Sequence, residues 1–216
     1  MSLDAQAFIR ANTRPQRPPL VPEISLALAD EITPLWNLTE QALEQIGLAP
    51  PFWAFAWAGG QALARYLLDH PQEAAGKRVL DFASGSGLVA IAAALAGAHA
   101  VTAADIDPFC AAACAVNAQA NGVSIAFVDE NLLDGPPPAV DLICAGDICY
   151  ERPTAERVTA WLAAAHAAGT RVLIGDPGRT YFPAARLEQL AGYAVPTTLE
   201  LEDMAVKPAG VWTFAG

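Results

Sequence analysis

The sequence is poor in charged side chains, and basic ones are especially scarce. Charged residues make up 16% of the chain, against about 25% in an average globular protein. Lysine and arginine together number 12 and aspartate and glutamate 23, which gives a formal net charge of −11. An acidic chain repels the phosphates of nucleic acids and the anionic headgroups of membranes. We therefore expect no nucleic-acid partner and no membrane partner.

Cysteines, histidines and long apolar runs are also scarce. The four cysteines form no Cys-x-x-Cys pair and the three histidines stand apart in the chain, so we expect reduced thiols and no metal site. The longest apolar runs, such as 88–98, fall short of the roughly 20 residues that span a bilayer. Met1–Arg10 lacks the pattern of a secretory signal, and Asp4 argues against a transit peptide. We expect a cytoplasmic protein.

Apolar residues, in contrast, make up 54% of the 216 residues, enough for one large core. Residues 1–50 are predicted to form an N-terminal extension. Prolines between Arg14 and Pro22 favour extended backbone there, and short helices follow, among them Thr39–Ile46. Residues 51–216 are predicted to form the main part of what is overall a single domain.

From residue 76 onward, short apolar strands alternate with helices. Such alternation is typical of an α/β fold in which helices flank a mostly parallel sheet, here predicted with seven strands. The predicted strands are 78–82, 100–104, 124–128, 140–145 and 171–175, with closing strands at 193–198 and 211–214. The predicted helices are 61–69, 87–95, 108–120, 154–168 and 183–191.

A glycine-containing turn follows the first of these strands. Gly85 and Gly87 allow a tight turn there, so that the backbone can approach a ligand at the carboxyl edge of the sheet. The spacing Gly85-x-Gly87-x-x-Ala90, with Asp105 about 20 residues further on, also fits a dinucleotide-binding fingerprint. An NAD(P)-dependent oxidoreductase therefore stays open as an alternative.

Two carboxylates near this turn favour a different ligand. Asp81 ends the strand, where it would repel a pyrophosphate and attract a cation. S-adenosyl-L-methionine carries an ammonium and a sulfonium and has no phosphate. Asp105 ends the next strand, where it can accept both ribose hydroxyls, and Ile106 beside it can lie on an adenine face. We therefore predict S-adenosyl-L-methionine as the cofactor.

The segment Asp81-Phe-Ala-Ser-Gly85-Ser-Gly87 resembles the first motif of class I S-adenosylmethionine-dependent methyltransferases, acid-x-Gly-x-Gly-x-Gly. Ala83 replaces the first glycine and is the smallest possible replacement. The resemblance implies a Rossmann-like class I methyltransferase fold.

Four further segments narrow the resemblance: the aromatic-rich stretch 52–69, Asp105-Ile-Asp-Pro108, Gly146-Asp147-Ile-Cys-Tyr150, and Leu173-Ile-Gly-Asp176-Pro-Gly-Arg179. Together they resemble the lysine methyltransferases that modify the β subunit of electron transfer flavoprotein. This resemblance implies a protein-lysine N-methyltransferase with that subunit as its protein substrate. A methyltransferase of the ribosomal protein L11 type and a small-amine N-methyltransferase remain alternatives.

The resemblance also assigns roles within the cofactor site. Asp81 and the backbone of the glycine turn would hold the methionine portion, Trp57 would cover the cofactor, and Asn131 would border the adenine. A buried core position for Trp57 and a turn cap for Asn131 remain open. The predicted cofactor-binding residues are Trp57, Asp81, Ala83, Gly85, Gly87, Asp105, Ile106, Asn131 and Leu132.

Asp147 and Tyr150 are the predicted catalytic residues. Asp147 would accept a hydrogen bond from the substrate lysine, and Tyr150 would pack against its aliphatic stem. Neutralising a lysine with a pKa of about 10.4 at pH 7.4 costs on the order of 4 kcal/mol, and a nearby carboxylate opposes the proton loss. Asp147 is therefore predicted to orient the amine rather than to act as a strong base. Arg179 is predicted either to border the substrate channel or to pair with a structural carboxylate.

Overall fold

A computed structural model describes residues 4–30, 35 and 50–215 of the chain. The predicted helix Thr39–Ile46 lies outside these residues. Among the described residues, no helix is both long enough and apolar enough to cross a membrane. The α-helices are α1 (Ala5–Asn12), α2 (Ala58–Asp69), α3 (Leu88–Leu95), α4 (Pro108–Ala120), α5 (Arg152–Ala167) and α6 (Leu199–Glu202). The strands are β1 (Arg14–Gln16), β2 (Leu26–Leu28), β3 (Arg78–Phe82), β4 (Ala100–Ala104), β5 (Ala126–Val128), β6 (Leu142–Gly146), β7 (Arg171–Asp176), β8 (Leu187–Pro196) and β9 (Val206–Phe214).

The central sheet has seven strands in the order β5-β4-β3-β6-β7-β9-β8. The strands from β5 to β7 pair in parallel, whereas β9 runs antiparallel to both β7 and β8. This arrangement confirms the predicted mostly parallel sheet. The strand order reverses at β3, which pairs with β4 on one side and β6 on the other. In doubly wound sheets, ligands bind at such a point, in the crevice outside the carboxyl ends of the strands.

The side chains of β3 alternate between two apolar cores, one on each face of the sheet. Val79 joins the cluster that contains residues of α2 and α3. Leu80 and Phe82 join the cluster that contains residues of α5. Asp81 is in phase with Val79 and is the polar exception on that face, buried at the end of the strand.

The predicted helix Pro183–Ala191 is wrong. The chain makes a short 3-10 turn over Ala184–Arg186 and then enters strand β8. Leucine, glutamate, glutamine and alanine in this stretch all favour helix in isolation. Strand β8 instead pairs with β9 along its length, from Leu187 opposite Phe214 to Pro196 opposite Val206. Hydrogen bonds to a distant strand therefore override the local preference.

The described part of the N-terminal extension is attached to the rest of the fold through asparagine side chains. Strands β1 and β2 form a separate antiparallel pair. Strand β1 confirms the predicted extended backbone for the first three residues of the proline-rich run, whereas turns occupy 19–20 and 22–23. The fully buried Asn117 of α4 accepts a hydrogen bond from the backbone N–H of Ala27 (2.7 Å) and donates one to the carbonyl of Ser86 (2.8 Å). One side chain thus links the extension to the glycine turn. The domain boundary at residue 50 stays a prediction.

Glycines let the start of α2 lie directly against the ends of β6 and β7. A Cβ built on Gly59 would overlap the carbonyl oxygen of Gly175, and one built on Gly175 would overlap the carbonyl oxygen of Gly59. A Cβ on Gly146 would lie 3.1 Å from the Cα of Gly60. These close contacts bring the residues just before α2 to the carboxyl edge of the sheet.

We expect Gly59→Ala to lower the free energy of unfolding by about 1–3 kcal/mol, because the added methyl group meets backbone that cannot rotate away. Denaturant unfolding measures this effect. Gly60→Ala is the matched control, since its Cβ would lie 3.9 Å from the nearest atom, an Asp147 carboxylate oxygen. Equal stability losses in the two variants would contradict the proposed close contact.

Candidate functional site

A cavity of about 450 Å³ opens at the carboxyl ends of β3, β4 and β6. Its volume lies within the range of about 300–1,000 Å³ that is usual for small-molecule sites. The cavity wall contains both predicted catalytic residues and all but one of the predicted cofactor-binding residues. These wall residues are Trp57, Asp81, Ala83, Gly85, Asp105, Ile106, Asn131, Leu132, Asp147 and Tyr150, joined by Arg179.

Gly87 is the predicted cofactor-binding residue that does not line the cavity. It precedes α3 in a left-handed conformation (φ 79°). A Cβ at this position would lie 2.8 Å from the sulfur of Cys114 on α4. The glycine therefore allows close packing of the turn against a helix, and its predicted contact with a cofactor stays a prediction.

The carboxylate of Asp105 holds the glycine turn in place. One oxygen accepts the backbone N–H of Gly85 (3.0 Å) and the other accepts the backbone N–H of Asp107 (3.1 Å). Ala83 has a left-handed conformation (φ 55°), which costs a residue with a Cβ about 1–2 kcal/mol. A glycine at this position, as in the motif that the sequence resembles, would avoid that cost.

Asp81 lies at the back of the cavity and is 1% exposed. Its carboxylate accepts the backbone N–H of Ala90 in the first turn of α3 (2.9 Å). Burial raises the pKa of Asp81 to about 8, and the nearby charge of Asp105 adds to this rise. The carboxyl group is thus mostly protonated at neutral pH, and a cation that binds beside it would stabilise its ionised form.

Ile106, Asn131 and Leu132 form the part of the wall where the adenine was predicted to lie. Ile106 is 72% exposed and presents an apolar surface to the cavity. The side-chain oxygen of Asn131 accepts the backbone N–H of Leu133 (3.2 Å) at the start of a 3-10 turn. Asn131 therefore has the turn-capping role that the sequence left open, while it still lines the cavity.

Aromatic rings form one side of the cavity mouth. Trp57 donates a hydrogen bond from its indole N–H to the carbonyl of Phe52 (3.0 Å), and the two rings lie 5.9 Å apart. The ring of Phe52 lies 5.6 Å from that of Tyr150, which is half exposed. Sequence reasoning did not single out Phe52, although its position in the aromatic-rich stretch was a signal. We call Phe52, Trp57 and Tyr150 the aromatic wall.

Asp147 lies deeper than the aromatic wall, with only 10% of its side chain exposed. It has a left-handed backbone conformation (φ 56°), which aspartate tolerates better than most residues. One carboxylate oxygen accepts the backbone N–H of Gly60 (2.7 Å), and the other accepts from the guanidinium of Arg179 (2.7 Å). Burial raises the pKa of Asp147 to about 6, and the charge of Arg179 limits this rise.

Glu202 is a buried carboxylate that sequence reasoning missed. It lies on the short helix α6, is 3% exposed, and forms a two-pronged pair with Arg179 at 2.8 and 3.2 Å. It also accepts the backbone N–H of Ala58, 144 residues away in the chain (3.2 Å). No local pattern marks this residue. Arg179 pairs with carboxylates, as one of its two predicted roles requires, and it lines the cavity, whereas a substrate channel at this position stays a prediction.

The wall fits a cationic nucleoside better than a pyrophosphate. Arg179 is the only basic side chain of the described residues that lines the cavity, and two carboxylates already hold it. A pyrophosphate would therefore find no free cation among the described wall residues to balance its negative charge. The donors and acceptors present suit S-adenosylmethionine, with Asp81 for the ammonium, Asp105 for the ribose and Ile106 for the adenine. This weakens the oxidoreductase alternative.

Comparison with known proteins agrees with these features. Residues 61–149 match the family model described as ribosomal protein L11 methyltransferase (PrmA). The chain is 37% identical over 221 residues to the electron transfer flavoprotein beta subunit lysine methyltransferase of Rattus norvegicus, covering 99% of this chain and 86% of that protein. It is 38% identical over 218 residues to the protein of the same name from Danio rerio, covering 98% and 83%.

The fold also resembles that of a solved methyltransferase. The crystal structure of magnesium protoporphyrin IX methyltransferase from Synechocystis PCC 6803, with bound S-adenosylhomocysteine, superposes with a TM-score of 0.52 at 15% identity. The match covers 72% of this chain and 81% of that one. At this level of identity, the likeness supports the class I methyltransferase fold.

Proposed function

The chain belongs to the electron transfer flavoprotein beta subunit lysine methyltransferase family, and on this premise we propose that it methylates a lysine of that subunit. It is an S-adenosylmethionine-dependent protein-lysine methyltransferase. The observation that carries the proposal is that one cavity holds both the glycine turn with Asp81 and the pair Asp147 and Tyr150. The residues proposed for the cofactor and those proposed for the acceptor amine thus face the same space.

On the cofactor side, the residues bind and orient. S-adenosylmethionine, when bound, supplies a methyl group attached to a positively charged sulfur. The carboxylate of Asp81 pairs with the ammonium, and Asp105 keeps the glycine turn open while it offers its remaining acceptor positions to the ribose. Position and electrostatics are what the protein contributes to this reaction.

On the acceptor side, the residues orient a lysine and exclude water. The aromatic wall packs against the aliphatic stem, and its apolar surface disfavours the charged ammonium form. Asp147 then accepts a hydrogen bond from the amine, since each of its oxygens keeps an acceptor position beyond the contacts with Gly60 and Arg179. The chain's net charge of −11 suits a protein substrate that presents a basic patch around its lysine.

Transfer of a labelled methyl group tests the proposal. Purified electron transfer flavoprotein and ribosomal protein L11 are incubated separately with the enzyme and labelled S-adenosylmethionine, and modified residues are located by peptide mass spectrometry. Labelled lysines in the flavoprotein beta subunit alone are the expected result. Methylation of L11 alone would favour the alternative that matches the family model, and calorimetric binding of NAD in place of S-adenosylhomocysteine would contradict both.

We expect Tyr150→Ala to raise the KM for the protein substrate about 10-fold, because the lysine stem loses part of its apolar contact. Tyr150→Phe keeps the ring and is expected to stay close to the wild type. The Kd for S-adenosylhomocysteine, measured by calorimetry, should change little in either variant. Tyr181→Ala is the matched control, since Tyr181 is also a partly exposed tyrosine but does not line the cavity. An unchanged KM in Tyr150→Ala would remove Tyr150 from the acceptor site.

A further inference from the structure

A lone carboxylate beside a substrate lysine has a chemical disadvantage. It stabilises the ammonium form, whereas methyl transfer requires the neutral amine. We propose that Arg179 is the positioning residue that removes this disadvantage: held by the buried Glu202, its guanidinium pairs with Asp147, so that Asp147 can orient the amine without retaining its proton. The inference rests on the proposed lysine methyltransferase activity and concerns the same cavity.

The geometry around Arg179 shows a guanidinium shared between two carboxylates. Its Nη2 donates to Asp147 at 2.7 Å and to Glu202 at 2.8 Å, and its Nη1 donates to Glu202 at 3.2 Å. The guanidinium carbon also lies 5.7 Å from the centre of the Trp57 ring. The charge of Arg179 therefore stays beside Asp147 and at the cavity wall, where a lysine amine would arrive.

Glu202 keeps this arrangement fixed from the opposite side. Its carboxylate is buried and also accepts the backbone N–H of Ala58 in the first turn of α2. That helix begins immediately after Trp57, and the backbone N–H of Gly60 in the same turn donates to Asp147. Glu202 and Asp147 thus satisfy two N–H groups of a helix start that has no side-chain cap of its own.

Further charged and titratable groups lie near Arg179, and one of them is a buried carboxylate. Asp176 at the end of β7 accepts the backbone N–H groups of Gly178 and Arg179 at 2.7 Å each, and burial raises its pKa to about 6. Lys207 on β9 lies 4.0 Å from Glu202. Burial raises the pKa of Cys149 to about 12, so that this thiol stays neutral. Without Arg179, Asp147 would lose the one ion pair that it forms among the described residues, and Glu202 would keep only the more distant Lys207.

The first test is the pH dependence of methyl transfer by Arg179→Met. Removing the guanidinium stabilises protons on both the substrate amine and Asp147. The fraction of the reactive, deprotonated state therefore falls, and it falls most at low pH. We expect the acidic limb of kcat/KM to move up by about one pH unit, so that activity is about 10-fold lower near pH 7 and largely recovered near pH 9. Arg179→Lys keeps the charge and should show a smaller shift.

The second test needs no methyl transfer. Carbon-13 NMR of the carboxyl groups, with Asp147 assigned through Asp147→Asn, gives the pKa of Asp147 in the full chain. We expect this pKa to rise by about one unit in Arg179→Met and much less in Arg179→Lys. Calorimetric binding of S-adenosylhomocysteine establishes that each variant is folded.

Arg78→Met is the matched control for both measurements. Arg78 also pairs with an aspartate, Asp141 at 2.9 Å, but at the opposite end of β3 and on the surface. Its pH profile should match that of the wild type. A loss of activity in Arg179→Met that is equal at every pH, together with an unchanged pKa of Asp147, would overturn the inference. If the wild type methylates no protein lysine, the proposed function fails, whereas the NMR titration still tests the pairing.

Discussion

Asp147→Asn is expected to lower kcat at least about 100-fold, the loss usual when an orienting contact at the reacting centre is misplaced. The amide keeps the volume of the carboxylate and can still accept the backbone N–H of Gly60. It has no negative charge, however, and it pairs only weakly with Arg179. The amine of the substrate is then held less well, although the cofactor side of the cavity is unchanged.

Steady-state methyl transfer and calorimetry together check this prediction. The Kd for S-adenosylhomocysteine should stay nearly unchanged in Asp147→Asn, because Asp81 and Asp105 hold the cofactor. Asp141→Asn is the control, since it also removes an aspartate that pairs with an arginine. This pair lies at the start of β3, at the opposite end of the strand from the cavity. Equal losses of turnover and of cofactor binding in Asp147→Asn would show that Asp147 supports the fold of the site rather than the acceptor amine.

Asp81→Asn is expected to weaken the binding of S-adenosylhomocysteine about 10- to 100-fold at pH 8, the size of a lost hydrogen bond to a charged group. The pKa of about 8 for Asp81 sets how this effect depends on pH. At lower pH the wild-type carboxyl group must first lose its proton before it pairs with the ammonium. The difference in affinity for S-adenosylhomocysteine between the wild type and Asp81→Asn therefore becomes smaller as the pH falls from 8 to 6.

Proton release upon binding of S-adenosylhomocysteine is an independent measure of the titration of Asp81. Calorimetry at pH 6.5 in buffers with different ionisation enthalpies should show a net release of protons when the wild type binds S-adenosylhomocysteine, and almost none when Asp81→Asn binds it. Asp134→Asn, a surface variant that alters the ion pair with Arg157, should release as much as the wild type. Proton uptake by the wild type, or release that persists in Asp81→Asn, would assign the titration to another group.

Several elements were predictable because their determinants lie close together in the sequence. The structure shows β3, β4 and α4 with the predicted bounds. A continuous apolar run is enough to predict a buried parallel strand. The start of α4 is marked by Asp107, which accepts the backbone N–H of Phe109 (2.9 Å), and by Pro108 in the first turn. The glycine turn and the carboxylates at two strand ends were also predictable, because their determinants lie close together in the sequence.

The roles of Trp57, Asp147 and Tyr150 came from the resemblance to a family rather than from local pattern. The structure brings these residues to one cavity, together with Arg179, and their chemical roles stay predictions. Strand β8 was missed because its stability comes from hydrogen bonds to β9, which no propensity in the stretch 183–191 records.

By itself, the sequence determined the strand and helix pattern as far as β7, the glycine turn and the cofactor class, since each depends on neighbouring residues or on carboxylates at predicted strand ends. Only the tertiary structure decided that Arg179 is shared between Asp147 and Glu202, three residues that lie on separate segments of the chain. The physical reason is that a buried charge needs a partner within hydrogen-bond distance. In this protein those partners are distant in the sequence, and only the folding of the chain brings them together.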